Sequence, residues 1–262
     1  MTGTGTAFIG RYGSWEDAKR NSTGYDERLI LEKVKAAALL VKNGGAAFER
    51  DSVAFDTIQH PFPVLACLLR AAAGCEGRLS VLDYGGSLGS LYFQSRGFLS
   101  NLKELRWNIV EQPHFIECGK ELFENDELRF YNSVEECFGR EHPDAALFSG
   151  VLQYVENPGK PIGLVINQGV KSIIVDRTPF TDSGEDILTV QRVPPSIYRA
   201  SYPSWIFSER KFVGLFAHGY SKVVDFDAND GTITSGGITA HYRGYMFEKN
   251  DRSSVENGDG VG

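Results

Sequence analysis

The stretch Leu79-Ser80-Val81-Leu82-Asp83-Tyr84-Gly85-Gly86-Ser87-Leu88-Gly89-Ser90 constrains the fold more than any other. It predicts a short buried strand that ends on an acid, turns through glycines and opens into a helix from Leu91. Gly85, Gly86 and Gly89 carry no Cβ, so the backbone there turns tightly and lets a ligand approach. Such a unit belongs to open α/β sheets, whose ligands sit beyond the carboxyl ends of the strands. After Gly77 the chain keeps that pattern, with short apolar runs alternating with amphipathic stretches. Predicted strands are Leu79–Tyr84, Arg106–Val110, Arg129–Tyr131, Ala145–Phe148, Ser172–Asp176, Ser221–Asp227 and Ala240–Phe247. Predicted helices are Leu91–Leu99, Pro113–Phe123, Val134–Phe138, Gly159–Asn167 and Ser208–His218. The expected fold is a Rossmann-like, doubly wound, mostly parallel α/β sheet.

Residues 1–77 read as a helical N-terminal cover. Ser14 and Asp17 have capping-box spacing. Asp26 is placed to cap a helix over Glu27–Lys42, which Asn43-Gly44-Gly45 stops. A third helix runs from about Pro63 to Ala73. The expected organisation is a cap (1–77), a sheet domain (78–249) and a polar, disordered tail (250–262).

At 262 residues, with 42% hydrophobic and 23% charged side chains, the chain is long enough for a substantial core and ordinary for a soluble protein. A net charge of −7 argues against a broad phosphate-binding surface, so nucleic acid is a poor partner. Cys67, Cys75, Cys118 and Cys137 form no CxxC pair and suit neither zinc nor a disulfide framework. Free thiols and the lack of an N-terminal signal over Met1 to Gly13 point to the cytoplasm. The longest apolar run, Pro61 to Ala73, is too short to span a bilayer. No metal site is expected, and the oligomeric state stays open.

Asp83 bears on the cofactor. In a dinucleotide site this turn cradles a pyrophosphate at the helix N-terminus. A carboxylate two residues before the first glycine repels phosphate and attracts an ammonium group. S-adenosylmethionine carries an amino group, a carboxylate and a sulfonium cation, so Asp83 suits it better than NAD. The stretch resembles the first motif of class I S-adenosylmethionine-dependent methyltransferases, departing from it where Ser87 replaces the middle glycine. That resemblance implies a seven-stranded sheet with an antiparallel last strand. It extends over roughly residues 8–248 through Gly10 to Ser14, Gly24-Tyr25-Asp26, Glu49 to Val53, Gly150 to Tyr154, Asp176 to Pro179 and Ala200 to Trp205. Together these resemble a bacterial group of methyltransferases associated with cell-surface polysaccharide gene clusters. An S-adenosylmethionine-dependent methyl transfer to oxygen or nitrogen of a small-molecule or sugar-derived acceptor is the implied activity.

The second strand ends at Glu111, 22 positions after Gly89. An acid at about this separation accepts hydrogen bonds from the ribose hydroxyls of an adenosine cofactor, with Gln112 beside it. An exposed helix-start carboxylate is the plainer alternative. The resemblance places Asn132 or Ser133 at the adenine edge, although either also serves as a helix cap. It places Ser149 and Gly150 along the methionine moiety and Tyr154 towards the methyl and acceptor, where Tyr154 also fits ordinary packing.

Thr178 to Phe207 reads as a connection near 30 residues long, the length of a lid or binding loop. Its Tyr198, Tyr202 and Trp205 suit a ring-shaped acceptor. Arg192, Arg199 and the preceding Arg177 are placed to hold a phosphate or carboxylate. Proton removal from the acceptor requires a base. His60 leads the candidates, with Tyr154 and Asp176 behind it. Two rival functions remain open: an NAD-binding oxidoreductase and a non-catalytic S-adenosylmethionine-binding module.

Overall fold

The computed structural model describes residues 7–24, 27–193 and 200–250. Tyr198, Arg199, Asp26 and the tail from Asp251 onward lie outside the described residues. In chain order the elements begin with β1 (Ala7–Ile9), α1 (Trp15–Arg20), α2 (Glu27–Lys42), β2 (Phe48–Arg50), β3 (Val53–Phe55) and α3 (Phe62–Ala73). The central part follows as β4 (Arg78–Tyr84), α4 (Ser90–Ser95), β5 (Glu104–Val110), α5 (Pro113–Leu122), β6 (Leu128–Tyr131), α6 (Val134–Phe138) and β7 (Ala145–Ser149). A 3₁₀ turn (Leu152–Tyr154) leads to α7 (Gly159–Gln168), β8 (Ser172–Thr181), β9 (Ile187–Arg192), β10 (Ser201–Ser208), α8 (Glu209–Gly214), β11 (Tyr220–Ser235) and β12 (Ile238–Lys249).

Seven strands lie side by side as β6-β5-β4-β7-β8-β12-β11. The first five are parallel, β12 runs antiparallel to β8, and β11 is antiparallel to β12. This is the doubly wound, mostly parallel sheet that the sequence predicts, with the antiparallel last strand that the resemblance implies. Because successive side chains point to opposite faces, each central strand feeds two cores. Val81, Ile109, Leu147 and Ile174 face one side, where Val34 and Ala38 of α2 and Val64, Leu65 and Leu68 of α3 cover them. Leu82, Val110, Phe148 and Val175 face the other, beneath Val134 of α6, Val165 of α7 and Phe212 of α8. Helix ends follow local chemistry: the Ser14 hydroxyl accepts from the Asp17 N–H, and Ser133 accepts from the Glu136 N–H.

Two sequence expectations are corrected. First, residues 1–77 are not wholly helical, because β1 and the β2–β3 hairpin interrupt the helices. Second, Thr178 to Phe207 is not a long loop. Strand β8 runs on to Thr181, and β9 and β10 pair antiparallel from Ile187↔Ile206 to Arg192↔Ser201. With β1 on the far side of β9, they extend the sheet beyond the end of β7, joined to β8 through only Phe207↔Phe180 and Ser208↔Thr181. Pro203 sits inside β10, and prolines within an apolar run argue against a strand, which hides the element. No helix among the described residues is long and apolar enough to cross a membrane.

Candidate active site

A cavity of about 1310 Å³ opens beyond the carboxyl ends of the parallel strands. One ligand pocket typically holds roughly 300–1,000 Å³, so this one has room for two molecules. Its lining divides into a lobe at the glycine turn and a lobe beyond the end of β8.

In the first lobe, Asp83 is only 2% exposed. The Trp107 indole N–H donates to Asp83 Oδ2 at 2.9 Å. Burial pushes the carboxyl up to about 7, the indole hydrogen bond opposing that rise. The turn closes over it: a Cβ on Gly86 lies 2.5 Å from Asp83 Oδ2, so only glycine fits at that distance. Gly85 has φ +75°, and its N–H donates to the Val110 carbonyl at 2.8 Å, tying the turn to the end of β5. Ser87 adopts φ +56°, the left-handed conformation that the missing middle glycine would otherwise supply. At the tip of β5, half-buried Glu111 accepts the Gln112 N–H at 2.6 Å, and burial pushes it up to about 7.

Asn132 and Ser133 also line this lobe, but both carry capping hydrogen bonds. Asn132 donates from its backbone and side chain to Glu136 Oε2 at 2.8 and 2.9 Å. Ser149 and Gly150 stand where the two lobes meet. The Ser149 hydroxyl donates to Asp176 Oδ2 at 2.8 Å, and the Gly150 N–H to the Asp176 carbonyl at 3.0 Å. Gly89 does not line the cavity. It starts α4 in the left-handed region, packed against Leu128 and Phe93.

The second lobe is organised by a β-bulge. Val175 pairs with Tyr245 and Thr178 with Arg243, so Asp176 and Arg177 together oppose Gly244. A bulge re-aims side chains, and here Arg177 takes φ +50° and enters the cavity lining. Its Nε and Nη2 grip Asp230 at 3.0 and 3.3 Å, and Nη2 also meets Asp51 Oδ2 at 2.9 Å. Asp51 and Ser52 form the β2–β3 turn with φ +53° and +70°, the signature of a two-residue type I′ hairpin. Asp230 lies in the irregular stretch of β11 between Asp227 and Thr232. Nε and Nη2 of the guanidinium expected to hold an acidic acceptor therefore already meet two carboxylates of the chain itself, while Nη1 meets neither.

Asp176 is 6% exposed, lines the cavity and has its pKa raised by burial, against the lowering effect of the Ser149 hydroxyl. Tyr154 lines the cavity, stands edge-on to Tyr202 at 5.1 Å, and donates to Gln191 Oε1 at 3.1 Å. Burial pushes its phenol up to about 12, so it keeps its proton at neutral pH and acts as a wall rather than a base. Two expected residues lie elsewhere. His60 packs between the rings of Phe62 and Phe98, each at 5.5 Å, and is not part of the lining. Trp205 faces away and stacks on Trp15 at 6.2 Å; Trp15 is the one that lines the cavity. Of the two remaining arginines proposed for an anion, Arg192 is outside the lining and Arg199 outside the described residues.

Sequence reasoning missed Glu49, Asp51, Gln153, Gln191, Asp230 and Tyr242, all of which line the cavity. Glu49 is 4% exposed, bonded to the Ser90 hydroxyl, and pushed up to about 7 by burial. Glu49 and Asp51 fall in a stretch that carries the resemblance, so a signal for them existed. Asp230 and Tyr242 sit in late strands without a local motif.

No protein-family model matches the chain, and no curated protein matches it. Among solved structures, the chain is similar to the 1,6-didemethyltoxoflavin-N1-methyltransferase of Burkholderia thailandensis, crystallised with 1,6-didemethyltoxoflavin and S-adenosylhomocysteine. That likeness has 16% identity, 87% of this chain and 92% of that chain covered, and a TM-score of 0.43. The N-terminal domain of EvdMO1, crystallised in the presence of S-adenosylhomocysteine and D-fucose, is similar at 16% identity over 86% of this chain and 98% of that one, with a TM-score of 0.48. The N-methyltransferase NodS of Bradyrhizobium japonicum WM9, in complex with S-adenosylhomocysteine, is similar at 12% identity over 74% and 90%, with a TM-score of 0.44.

Proposed function

We propose that this chain is an S-adenosylmethionine-dependent methyltransferase acting on a small-molecule acceptor. The observation that carries the reading is the buried Asp83 carboxylate, locked by Trp107 under Gly86 and bordering the same cavity as Glu111. Such a floor opposes a diphosphate and favours a cationic amino-acid tail. Glu111 and Gln112 suit the ribose, Asn132 and Ser133 the adenine edge, and Ser149 with Gly150 the methionine end. When bound, S-adenosylmethionine supplies a methyl group on a sulfonium, open to in-line displacement by the acceptor.

The chain's own part is alignment and proton removal. Holding two reactants in line is worth roughly 7–11 kcal/mol of the barrier. Asp176 is the base we favour. It lies at the junction of the lobes, its carboxylate is oriented by Ser149, and its raised pKa makes it a stronger proton acceptor than an ordinary aspartate. The tyrosine walls of the second lobe suit a ring-shaped, sugar-derived acceptor.

Calorimetric titration with S-adenosylhomocysteine tests the cofactor assignment. Asp83→Ala and Glu111→Ala are each expected to weaken binding about tenfold or more, as removal of a charge-assisted partner does. Unchanged affinity in both, or a thermal shift with NAD in place of S-adenosylhomocysteine, overturns it. Transfer of labelled methyl into a cell extract separates the enzyme from a module that only binds the cofactor.

A further inference from the structure

We infer that the second lobe selects an acceptor bearing a protonated amine and rejects anionic ones. This rests on the methyltransferase reading above and names the acceptor class for that same cavity. The charge balance comes first. Among the described residues, nine carboxylate side chains line the cavity against three cationic ones, Arg50, Lys160 and Arg177. Arg177 is shared between Asp51 and Asp230, and Arg50 lies over the Phe55 ring at 5.9 Å. Nε and Nη2 are taken by these carboxylates, so an anion reaching the guanidinium has only Nη1 to bind and must lie beside both of them. A cation meets no such competitor: Asp51 binds Arg177 through Oδ2 alone, and its side chain is 61% exposed, so Oδ1 stays within reach.

The second observation is independent of charge. Tyr242 is 7% exposed and lines the cavity. It lies within electrostatic reach of Tyr154, Asp230 and Asp51, and of Arg177. Gln153, 2% exposed and also in the lining, donates through Nε2 to the Arg177 carbonyl at 3.3 Å while its Oε1 is unpartnered. Buried polar groups are ordinarily satisfied, so the unmatched Gln153 carbonyl in this lining implies a ligand that brings a hydrogen-bond donor. An ammonium supplies three donors for Asp51 Oδ1 and the Tyr242 oxygen, and the faces of Tyr154 and Tyr202 attract a cation. A carboxylate or phosphate supplies none of those donors.

The test uses the full chain loaded with S-adenosylhomocysteine, whose own binding is measured first by calorimetry. Ligand-observed NMR then compares two ring-matched series at neutral pH: benzylamine, benzyl alcohol and benzoate, and glucosamine, glucose and glucuronate. The amine of each series is expected to bind about tenfold or more tightly than its neutral partner, with the acid weakest. Asp51→Asn and Asp230→Asn, checked for an unchanged melting temperature, are each expected to reduce that preference severalfold. Amine binding no better than alcohol or acid, or no binding by any of the six, overturns the inference. If S-adenosylhomocysteine itself fails to bind, the methyltransferase reading falls instead, and the two failures stay distinct.

Discussion

Replacing Gly86 by alanine tests the linkage between the glycine turn and its buried acid. The new Cβ lies 2.5 Å from Asp83 Oδ2, 2.6 Å from Cγ and 3.1 Å from Oδ1, where ordinary contact begins near 3.4 Å. The carboxylate must therefore retreat by about an ångström. It has nowhere to go, since Asp83 is 2% exposed and Trp107 fully buried. Moving it stretches or breaks the 2.9 Å indole hydrogen bond. A hydrogen bond to a charged group contributes about 1.5–3 kcal/mol, and overpacking costs about 1–3 kcal/mol. The expected loss is roughly 2–5 kcal/mol, a fall of about 5–15 °C in melting temperature for a chain of this size. Gly97→Ala is the control, because no atom lies within 4 Å of its Cβ position. Urea unfolding and calorimetry with S-adenosylhomocysteine on both variants provide the measurement. A Gly86→Ala protein as stable as Gly97→Ala, with wild-type affinity, refutes the reasoning.

Proton linkage offers a second handle. The folded pKa of Asp83 is about 7, above its unfolded value, so the native state binds the proton more tightly and its stability contribution falls as pH rises from about 4 to 7. Asp83→Asn should therefore become steadily more stable relative to wild type across that window, by urea unfolding; a constant difference contradicts it. Because Glu49, Asp83 and Glu111 all sit near 7, binding of a cationic cofactor at pH 7 should release about one proton, read as a dependence of the calorimetric enthalpy on buffer ionisation. Equal enthalpies in all buffers would count against it. Arg177→Ala leaves Asp51 and Asp230 facing each other unpaired, so amide exchange should accelerate in Phe48–Phe55 and around Asp230; unaltered exchange would show the ion pairs to be idle. His60→Ala should retain wild-type affinity for S-adenosylhomocysteine and full turnover, since its ring packs on Phe62 and Phe98 outside the cavity, and a lost activity would restore it as a base.

The parallel strands were readable because they are buried on both faces. Ala145–Phe148 and Ile173–Val175 are continuous apolar runs, and the ends of β4, β5, β7 and β8 are marked by an acid or glycine, that of β6 by Asn132 and Ser133. The lining of the first lobe can be read for the same reason, since its residues sit one after another at those ends. What escaped depends on distant pairing. Strand β9 buries Thr189 and Gln191 beside Leu188 and Val190, and β10 contains Pro203, so neither shows clean alternation or an apolar run. Strands β2 and β3 have three residues each, too few for a period to register. The ion pairs of Arg177 are not legible in sequence because its partners lie 126 and 53 positions away, and nothing local signals them.

The Arg177 junction also has a consequence for how such a molecule can diversify. In the proposed enzyme, the groups facing the acceptor hang from a hairpin turn at Asp51 and an irregular stretch of β11 at Asp230, neither of which belongs to the parallel ladder. Sequence drift at these two places can rewrite substrate preference while the donor half is inherited intact. A protein engineer can exploit that separation by grafting new turns there and leaving the strand tips alone.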